Sequence, residues 1–580
     1  MLGLPKRLII ASFCVCLILS PAAGGGAKEI VRGDPGTKLD EYLNRIAPYG
    51  FSGAVLVARD GETVLNKGYG LAMRSGGVAN TSETVFSTGS ITKQFTAAAI
   101  MVLEMQGKLN TGDKVSEHLG GVPHNKVDIT LHHLLTHTAG VLFSTGDDYT
   151  IAHRDDTVKK ILDSPLEFTP GERFEYSNAG YTLLAAIIEI VSGQPYEEFL
   201  REHLFEPAGM KFTGYRLPAW DERVVAHCYV GDADNCTPLE KDYPYWNLIG
   251  NGGILSTTGD LLKWHEALMG DDILSAGAKA KLYTPELNDY AYGWEVLETD
   301  RGTLIQHGGG STLGNAAELR RYVDAGVVTV VFANADGEDV LFHGIRDKIE
   351  TLAFGGDVDL PRATIELEEG ELDKFAAVYD VEFGGTFTIK REGSGLRMTA
   401  AGHGAMNVLA FPELENQTLL HNDINERSFM LFDAAMRGDY SIFRAETGDQ
   451  DKIDRFRQLI ETRLDRYKDR TGTIRQVHIF GTLPGDTPDE VVTFVVLKGD
   501  EGGELVFGLH WSGGALIGIS PAAGVPPVSM RLAPLSQTQF AGYNLGWGKG
   551  VTIDFDVDRH NSVRALTIMT ASGDIAAVRR

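Results

Sequence analysis

The clearest helical signature in the chain follows residue 90, where Phe95, Ala98, Ala99, Val102 and Leu103 fall at i, i+3, i+4, i+7 and i+8. That spacing lines apolar side chains along one face of a helix, and Gly107 supplies its stop. A second apolar helix is predicted over residues 181 to 191, and a charged amphipathic one over 451 to 467. Strands are predicted where short apolar runs end at turn residues. Residues 51–58 and 63–69 flank the turn Arg59-Asp60-Gly61. Residues 293–297, 303–307, 317–322 and 327–333 read as an antiparallel meander with a turn at Asp324-Ala325-Gly326. Strands at both ends of the zone 37–354, with helices between, suit one antiparallel sheet in which the two ends of the zone meet. An acidic stretch opened by Pro361 marks a boundary at 361–369. Beyond it the strand-like runs are 386–390, 396–399, 428–432, 491–497 and 504–509.

Length agrees with several units, since 580 residues at about 150 per domain suggest three or four. The expected division is 28–356, then 361–449, then 450–580. With 43% hydrophobic, 23% charged and 9% aromatic residues the chain is ordinary for a globular protein. The formal charge of −26 repels phosphate backbones and anionic lipid, which argues against a nucleic-acid partner. Residues 1–27 have the layout of a secretory signal peptide: Lys6 and Arg7, an apolar run over 8–19, then small residues. That run is too short for a stable membrane span, so a periplasmic or secreted product is expected. Two of the four cysteines lie in this segment. Cys228 and Cys236 remain, and in an oxidising compartment they could close a short loop as a disulfide.

The candidate chemistry sits in the first zone. Ser90-Ile91-Thr92-Lys93 is the only Ser-x-x-Lys in the sequence and enters the periodic helix, so both side chains are expected on one face of its first turn. A serine hydroxyl needs an adjacent base, and burial near a helix start gives a lysine reason to lose its proton. Tyr176-Ser177-Asn178 follows a turn and precedes an apolar helix. A tyrosine near Lys93 could relay a proton, and the Asn178 amide could bond a substrate carbonyl. The same Tyr-x-Asn spacing recurs at Tyr42 and Tyr245, the latter a competitor that could line a site wall. His307-Gly308-Gly309-Gly310 ends a strand, and its glycines let a substrate backbone approach while their N–H groups face a developing oxyanion. His132, His133 and His137 form a cluster that could also suggest a metal.

Ser-x-x-Lys, Tyr-x-Asn and His-x-Gly in that order resemble the serine beta-lactamase and penicillin-binding protein superfamily, in particular its class C-like branch. Residues 129–141, 204–210, 252–260 and 292–294 are phrases similar to that branch, and the likeness spans about 40–354. The resemblance implies an α+β catalytic domain, an antiparallel sheet with flanking helices plus an all-helical lobe. It implies Ser90 as acylated nucleophile, Lys93 and Tyr176 as base and proton relay in an order left open, and Asn178 and His307 as substrate-binding groups. The oxyanion hole would be the N–H groups of Ser90 and Gly310, with Gly309 completing the triplet. It makes the histidine cluster framework, so no metal and no cofactor are expected. His307-Gly308-Gly309 departs from the Lys-Thr-Gly or Lys-Ser-Gly form in having no hydroxyl and a titratable cation, a form that resembles aminopeptidases, amidases and esterases. Residues 372–399 resemble an appended lipocalin-like barrel, which makes the C-terminal region mainly β.

The expected function is a secreted serine hydrolase acting on small peptides or amides, with esters next and beta-lactams third. A class C-type beta-lactamase or DD-peptidase, and a non-catalytic peptide- or peptidoglycan-binding relative, are the alternatives. The sequence leaves the oligomeric state open.

Overall fold

A computed structural model describes residues 29–221, 224–337, 344–382, 384–410, 422–485, 490–522, 524–525, 528–545, 549–570 and 573–580. The segment read as a signal peptide lies outside them. Seven antiparallel strands build the central sheet: β1 Ile30–Val31, β2 Gly53–Arg59, β3 Glu62–Tyr69, β4 Glu295–Thr299, β5 Gly302–Gly310, β6 Ala316–Tyr322 and β7 Val327–Ala333. Their order is β1-β3-β2-β7-β6-β5-β4, so strands from the two ends of the catalytic zone pair directly, Val330 opposite Leu56. Residues 53–58 and all of β7 are buried, because helices cover both faces of the sheet.

On one face α1 (Gly33–Ile46) and α2 (Arg346–Ala353) bury Leu39, Leu43, Ile349 and Leu352 against Val55, Val57 and Val331. The other face meets a helical lobe. Its centre is α3 (Thr92–Met105), which from Phe95 to Leu103 is apolar except for Thr96 and is enclosed accordingly. Phe95 packs its ring 5.1 Å from those of Phe205 and Trp264, and truncating such a side chain costs about 3–5 kcal/mol. Gly107, at φ +68°, ends the helix; the N–H groups of Gly107 and Lys108 donate back to the carbonyls of Glu104 and Leu103. Beside α3 lie α4 (Asn178–Ser192) and α5 (Thr258–Met269).

The C-terminal half is arranged differently from the expected division at 449/450. An eight-stranded closed barrel takes β8 Ala377–Val381, β9 Thr386–Glu392 and β10 Gly395–Ala401 from one side of that boundary. From the other it takes β15 Val528–Pro534, β16 Gln539–Asn544, β17 Lys549–Val557, β18 Val563–Thr570 and β19 Gly573–Arg579. Its core is centred on Phe375, Phe540 and Phe555. Between β10 and β15 an inserted unit packs helices Asn422–Met436 and Gln450–Arg466 on a four-stranded sheet, β11 Ile474–Pro484, β12 Glu490–Gly499, β13 Glu504–Ser512 and β14 Ala515–Ala522. Residues 428–432, expected as a strand, lie in the first of those helices. A five-residue apolar run reads the same way for either element, and here Leu431, Phe432 and Ala435 bury one helical face.

Candidate active site

The site lies where the end of β5 meets the turn that leads into α3. Gly89–Ile91 form a 3₁₀ turn, and α3 starts only at Thr92, so Ser90 stands just before the α-helix rather than in its first turn. The i to i+3 relation to Lys93 survives, because the turn runs directly into the helix. Gly89 has φ +52°, and a Cβ there would meet Gly310 N at 2.5 Å. A Cβ on Gly309 would meet Ser90 N and Thr88 O, each at 2.3 Å. Both positions need glycine because the backbones of the turn and of β5 touch. β4 pairs with β5 only as far as Gln306, so from His307 onward that edge of β5 is left for the turn. The turn is pinned from behind by Ile254, whose carbonyl accepts from Thr88 N and Oγ1 at 2.8 Å each. Ser90 is partly exposed while its neighbours are buried.

Lys93 is fully buried and its Nζ makes three contacts: Ser90 Oγ at 3.1 Å, Asn178 Oδ1 at 2.7 Å and the Asn251 carbonyl at 2.7 Å. Burial holds its amine well below the ordinary lysine range. The contacts fit a neutral amine. Two are to oxygens that can only accept, so they take its two N–H groups, and the lone pair is left for the Ser90 hydroxyl. An amine so placed can withdraw the hydroxyl proton.

Tyr176 lies across from Lys93, whose Nζ is 4.7 Å from the ring centroid. Burial raises its phenol above the ordinary value, against the opposing effect of a hydrogen bond with Ser90. Its hydroxyl therefore stays protonated. The ring is held by His137 at 4.2 Å between centroids, with Tyr290 and His307 further round. Ser177 caps α4, accepting from Gly180 N at 3.0 Å, and its own N–H donates to His137 Nδ1 at 3.0 Å. That cap turns Tyr176 and Asn178 towards Lys93.

His307 departs from the expected cation. Its Nδ1–H donates to the Gly308 carbonyl at 2.5 Å, and Nε2 accepts from the Tyr290 hydroxyl at 2.9 Å. Burial lowers its pKa to about 4 against the opposing pull of Glu295. The ring is neutral at pH 7. It therefore offers no fixed positive charge to a substrate carboxylate.

Other expectations are corrected or placed. Cys228 and Cys236 are free thiols, not a disulfide. Their backbones pair, Cys228 N donating to Cys236 O at 3.1 Å, but Cys236 takes φ +65° and the Cys228 thiol points at Asn315. The three histidines of the cluster serve separate partners: His132 bonds the Tyr292 hydroxyl, His133 accepts from Thr130 N, and His137 backs Tyr176. Asn247 of the competing Tyr-x-Asn fixes the 145–147 segment, its side-chain oxygen accepting from Thr145 Oγ1 and its Nδ2 donating to Asp147 O. Sequence reasoning missed Asn251, which acts through its carbonyl, and Tyr290, which sets the state of His307. Neither carries a motif.

A helix-flanked antiparallel sheet whose open edge faces a Ser-x-x-Lys turn, with Tyr-x-Asn across the cleft, defines the class of beta-lactamase-fold serine hydrolases. The chain belongs to the family described as Beta-lactamase, which matches residues 44–352. Penicillin-binding protein 4* of Bacillus subtilis (strain 168) is 29% identical over 418 residues, 67% of this chain and 92% of that one. Protein flp of Staphylococcus aureus (strain MW2) is 29% identical over 311 residues, 50% of this chain and 60% of its own. The octameric penicillin-binding protein homologue from Pyrococcus abyssi is 20% identical and covers 93% of this chain and 99% of its own, with a TM-score of 0.48.

Proposed function

We propose that the protein is an exported serine hydrolase that opens amide bonds of small peptides or amides, with esters next, through an acyl-enzyme on Ser90. The observation that carries this reading is the buried Lys93 amine against the Ser90 hydroxyl, with two carbonyl oxygens holding its N–H groups. Lys93 takes the hydroxyl proton as Ser90 Oγ attacks the carbonyl carbon. The Ser90 and Gly310 N–H groups receive the developing oxyanion. Tyr176, kept protonated by burial, gives its proton to the departing amine and is reprotonated from Lys93. The amine leaves and the acyl group stays on Ser90. A water molecule then attacks the ester, its proton passing to the same base, and Ser90 is restored. Asn178, its Oδ1 fixed by Lys93, turns its N–H groups to the substrate carbonyl.

The preference for amides over beta-lactams rests on His307. A neutral imidazole lacks the charge that would hold a beta-lactam or D-alanine carboxylate. The name of the Bacillus subtilis relative favours beta-lactam binding as the second reading. Export is supported by the layout of residues 1–27; among the described residues no helix is long and apolar enough to cross a membrane.

The test is kcat/KM of the protein and of Ser90→Ala on aminoacyl and peptidyl anilides against a chromogenic cephalosporin. Serine-dependent anilide turnover with negligible cephalosporin turnover is expected. Higher turnover of the cephalosporin would overturn the substrate preference, and full turnover by Ser90→Ala would overturn the nucleophile.

A further inference from the structure

The inserted unit brings a serine, a histidine and a glutamate together, far in sequence from the Ser90 cleft. Glu490 opens β12, His510 lies near the end of β13 and Ser520 lies in β14, three neighbouring strands of one sheet. Register puts them on one face: His510 stands opposite Val492 and Gly518, and Ser520 stands opposite Gly508, two residues before His510. Phe507, Leu509 and Trp511 alternate with these positions along β13 and bury the other face against the helices of the unit.

The three side chains form one run of hydrogen bonds. His510 Nδ1 is 2.7 Å from Glu490 Oε1, and His510 Nε2 is 2.8 Å from Ser520 Oγ. A carboxylate only accepts, so Nδ1 carries the proton, and in the neutral ring Nε2 then presents its lone pair to the Ser520 hydroxyl. Each nitrogen therefore meets the partner that a Ser-His-acid triad requires. The Glu490 and His510 side chains are 11% and 25% exposed, so water competes little for the bond that orients the ring, and Ser520 is half-buried.

Glycine keeps the Ser–His bond uncovered. A Cβ on Gly508 would stand 3.2 Å from Ser520 Oγ, 3.7 Å from His510 Nε2 and 3.0 Å from Val492 Cγ1. The missing side chain leaves a gap of about one small group, directly against the hydroxyl. Among the described residues β14 is an edge strand of its sheet, so alternate N–H groups beside Ser520 have no strand partner and are free to receive an oxyanion. Strand pairing alone asks for neither the order of the three groups nor the gap.

We propose that Ser520, His510 and Glu490 form a second nucleophilic site, one that takes carboxylic esters with a small acyl group. Ser520 Oγ bonds to the ester carbonyl carbon as its proton passes to His510 Nε2, while Glu490 holds the ring and faces the imidazolium charge. The carbon–oxygen bond to the alcohol breaks, His510 gives its proton to the departing oxygen, and the acyl group stays on Ser520. Water then attacks the acyl carbon, its proton passing to His510 and on to Ser520 Oγ as the acid leaves. Val492, at the rim of the Gly508 gap, limits the acyl group to a small one.

The experiment uses the full chain carrying Ser90→Ala, which removes the first nucleophile, with a fluorophosphonate and p-nitrophenyl acetate as probes. The fluorophosphonate is expected to add to Ser520 with loss of fluoride, as located by tandem mass analysis. Ser90→Ala/His510→Gln and Ser90→Ala/Glu490→Gln should label about 100-fold more slowly. Hydrolysis of p-nitrophenyl acetate by Ser90→Ala should fall to the uncatalysed rate in Ser90→Ala/Ser520→Ala. Recovery of the Ser520 peptide unmodified overturns the proposal, and so does labelling that is equally fast without His510. Equal ester hydrolysis with and without Ser520 overturns it as a site of turnover. None of these outcomes touches the Ser90 reading, which is read from anilide turnover, and Ser520→Ala alone should leave that turnover unchanged.

Discussion

Gly309→Ala is the sharpest test of how the site is assembled. The added Cβ would land 2.3 Å from Ser90 N and Thr88 O and 2.8 Å from Gly89 C, about 1 Å short of ordinary contact at the nearest atoms. All three are backbone atoms of the turn that carries Ser90, so no side chain can swing aside. Either the turn or the end of β5 must move by a comparable distance. A displacement of about 1 Å at a reacting group costs roughly 100-fold in rate, about 2.7 kcal/mol, and overpacking adds about 1–3 kcal/mol of lost stability. The assay is kcat at saturating anilide together with the melting temperature. Gly120→Ala is the control, because a Cβ at Gly120 meets nothing within 4 Å. We expect kcat to fall about 100-fold in Gly309→Ala, with the fold retained, and to stay within twofold in the control. A Gly309→Ala protein with kcat within twofold of the parent and an unchanged melt would refute the reasoning that contact between strand and turn positions Ser90.

Further outcomes follow from groups elsewhere. His307 binds a proton more weakly in the folded chain (about 4) than in the unfolded one (about 6.5), so its contribution to stability is fully present above pH 6.5 and is lost as pH falls towards 4. The melting temperature should therefore drop faster over that window in the protein than in His307→Gln; parallel curves would refute it. For the same reason the activity ratio between anionic and neutral substrates should stay flat from about pH 6 to 8. Cys236 should react with a thiol reagent in the native protein. Cys228, buried and with its thiol pushed up to about 12, should react only on unfolding, and non-reducing mass analysis should find no bridge. Ending the chain after Ser572 removes β19, which pairs with both β8 and β18, and should lower the melting temperature of the barrel and raise aggregation.

The parts of the site legible in the sequence were those in which spacing is the chemistry. Ser90 and Lys93 are three residues apart on one turn, and Tyr176 and Asn178 straddle a helix cap, so local pattern brought each pair together. What was not legible depends on enclosure. The neutral state of His307 follows from burial and from Tyr290, seventeen residues away in sequence. Asn251 contributes a backbone oxygen, which no side-chain pattern reveals. The anchoring of Thr145 and Asp147 depends on Asn247, whose Tyr-x-Asn spacing reads in sequence as a rival catalytic motif. In the fold, short apolar runs ended by turn residues mark strands and the turns that join neighbours, but not partners across an insertion. The meander was therefore readable, while the pairing of β10 with β15 across an insertion was not. Residues 428–432 were too short a run to separate helix from strand by period.

The discontinuous barrel sets an order on biosynthesis. Ala400 of β10 lies opposite Val528 of β15, yet more than a hundred residues of inserted unit are made between them. At about 5–20 residues per second the ribosome leaves β10 without β15 for roughly 6–25 s. The insert, with its own sheet and core, can collapse in that interval, whereas three strands with an open flank cannot close until β19 has left the exit tunnel. The catalytic sheet is complete by residue 333, so the nascent chain carries a finished active-site sheet while its barrel is still an unsealed edge. Quality control during synthesis therefore falls on the barrel, the part of the molecule farthest in sequence from Ser90.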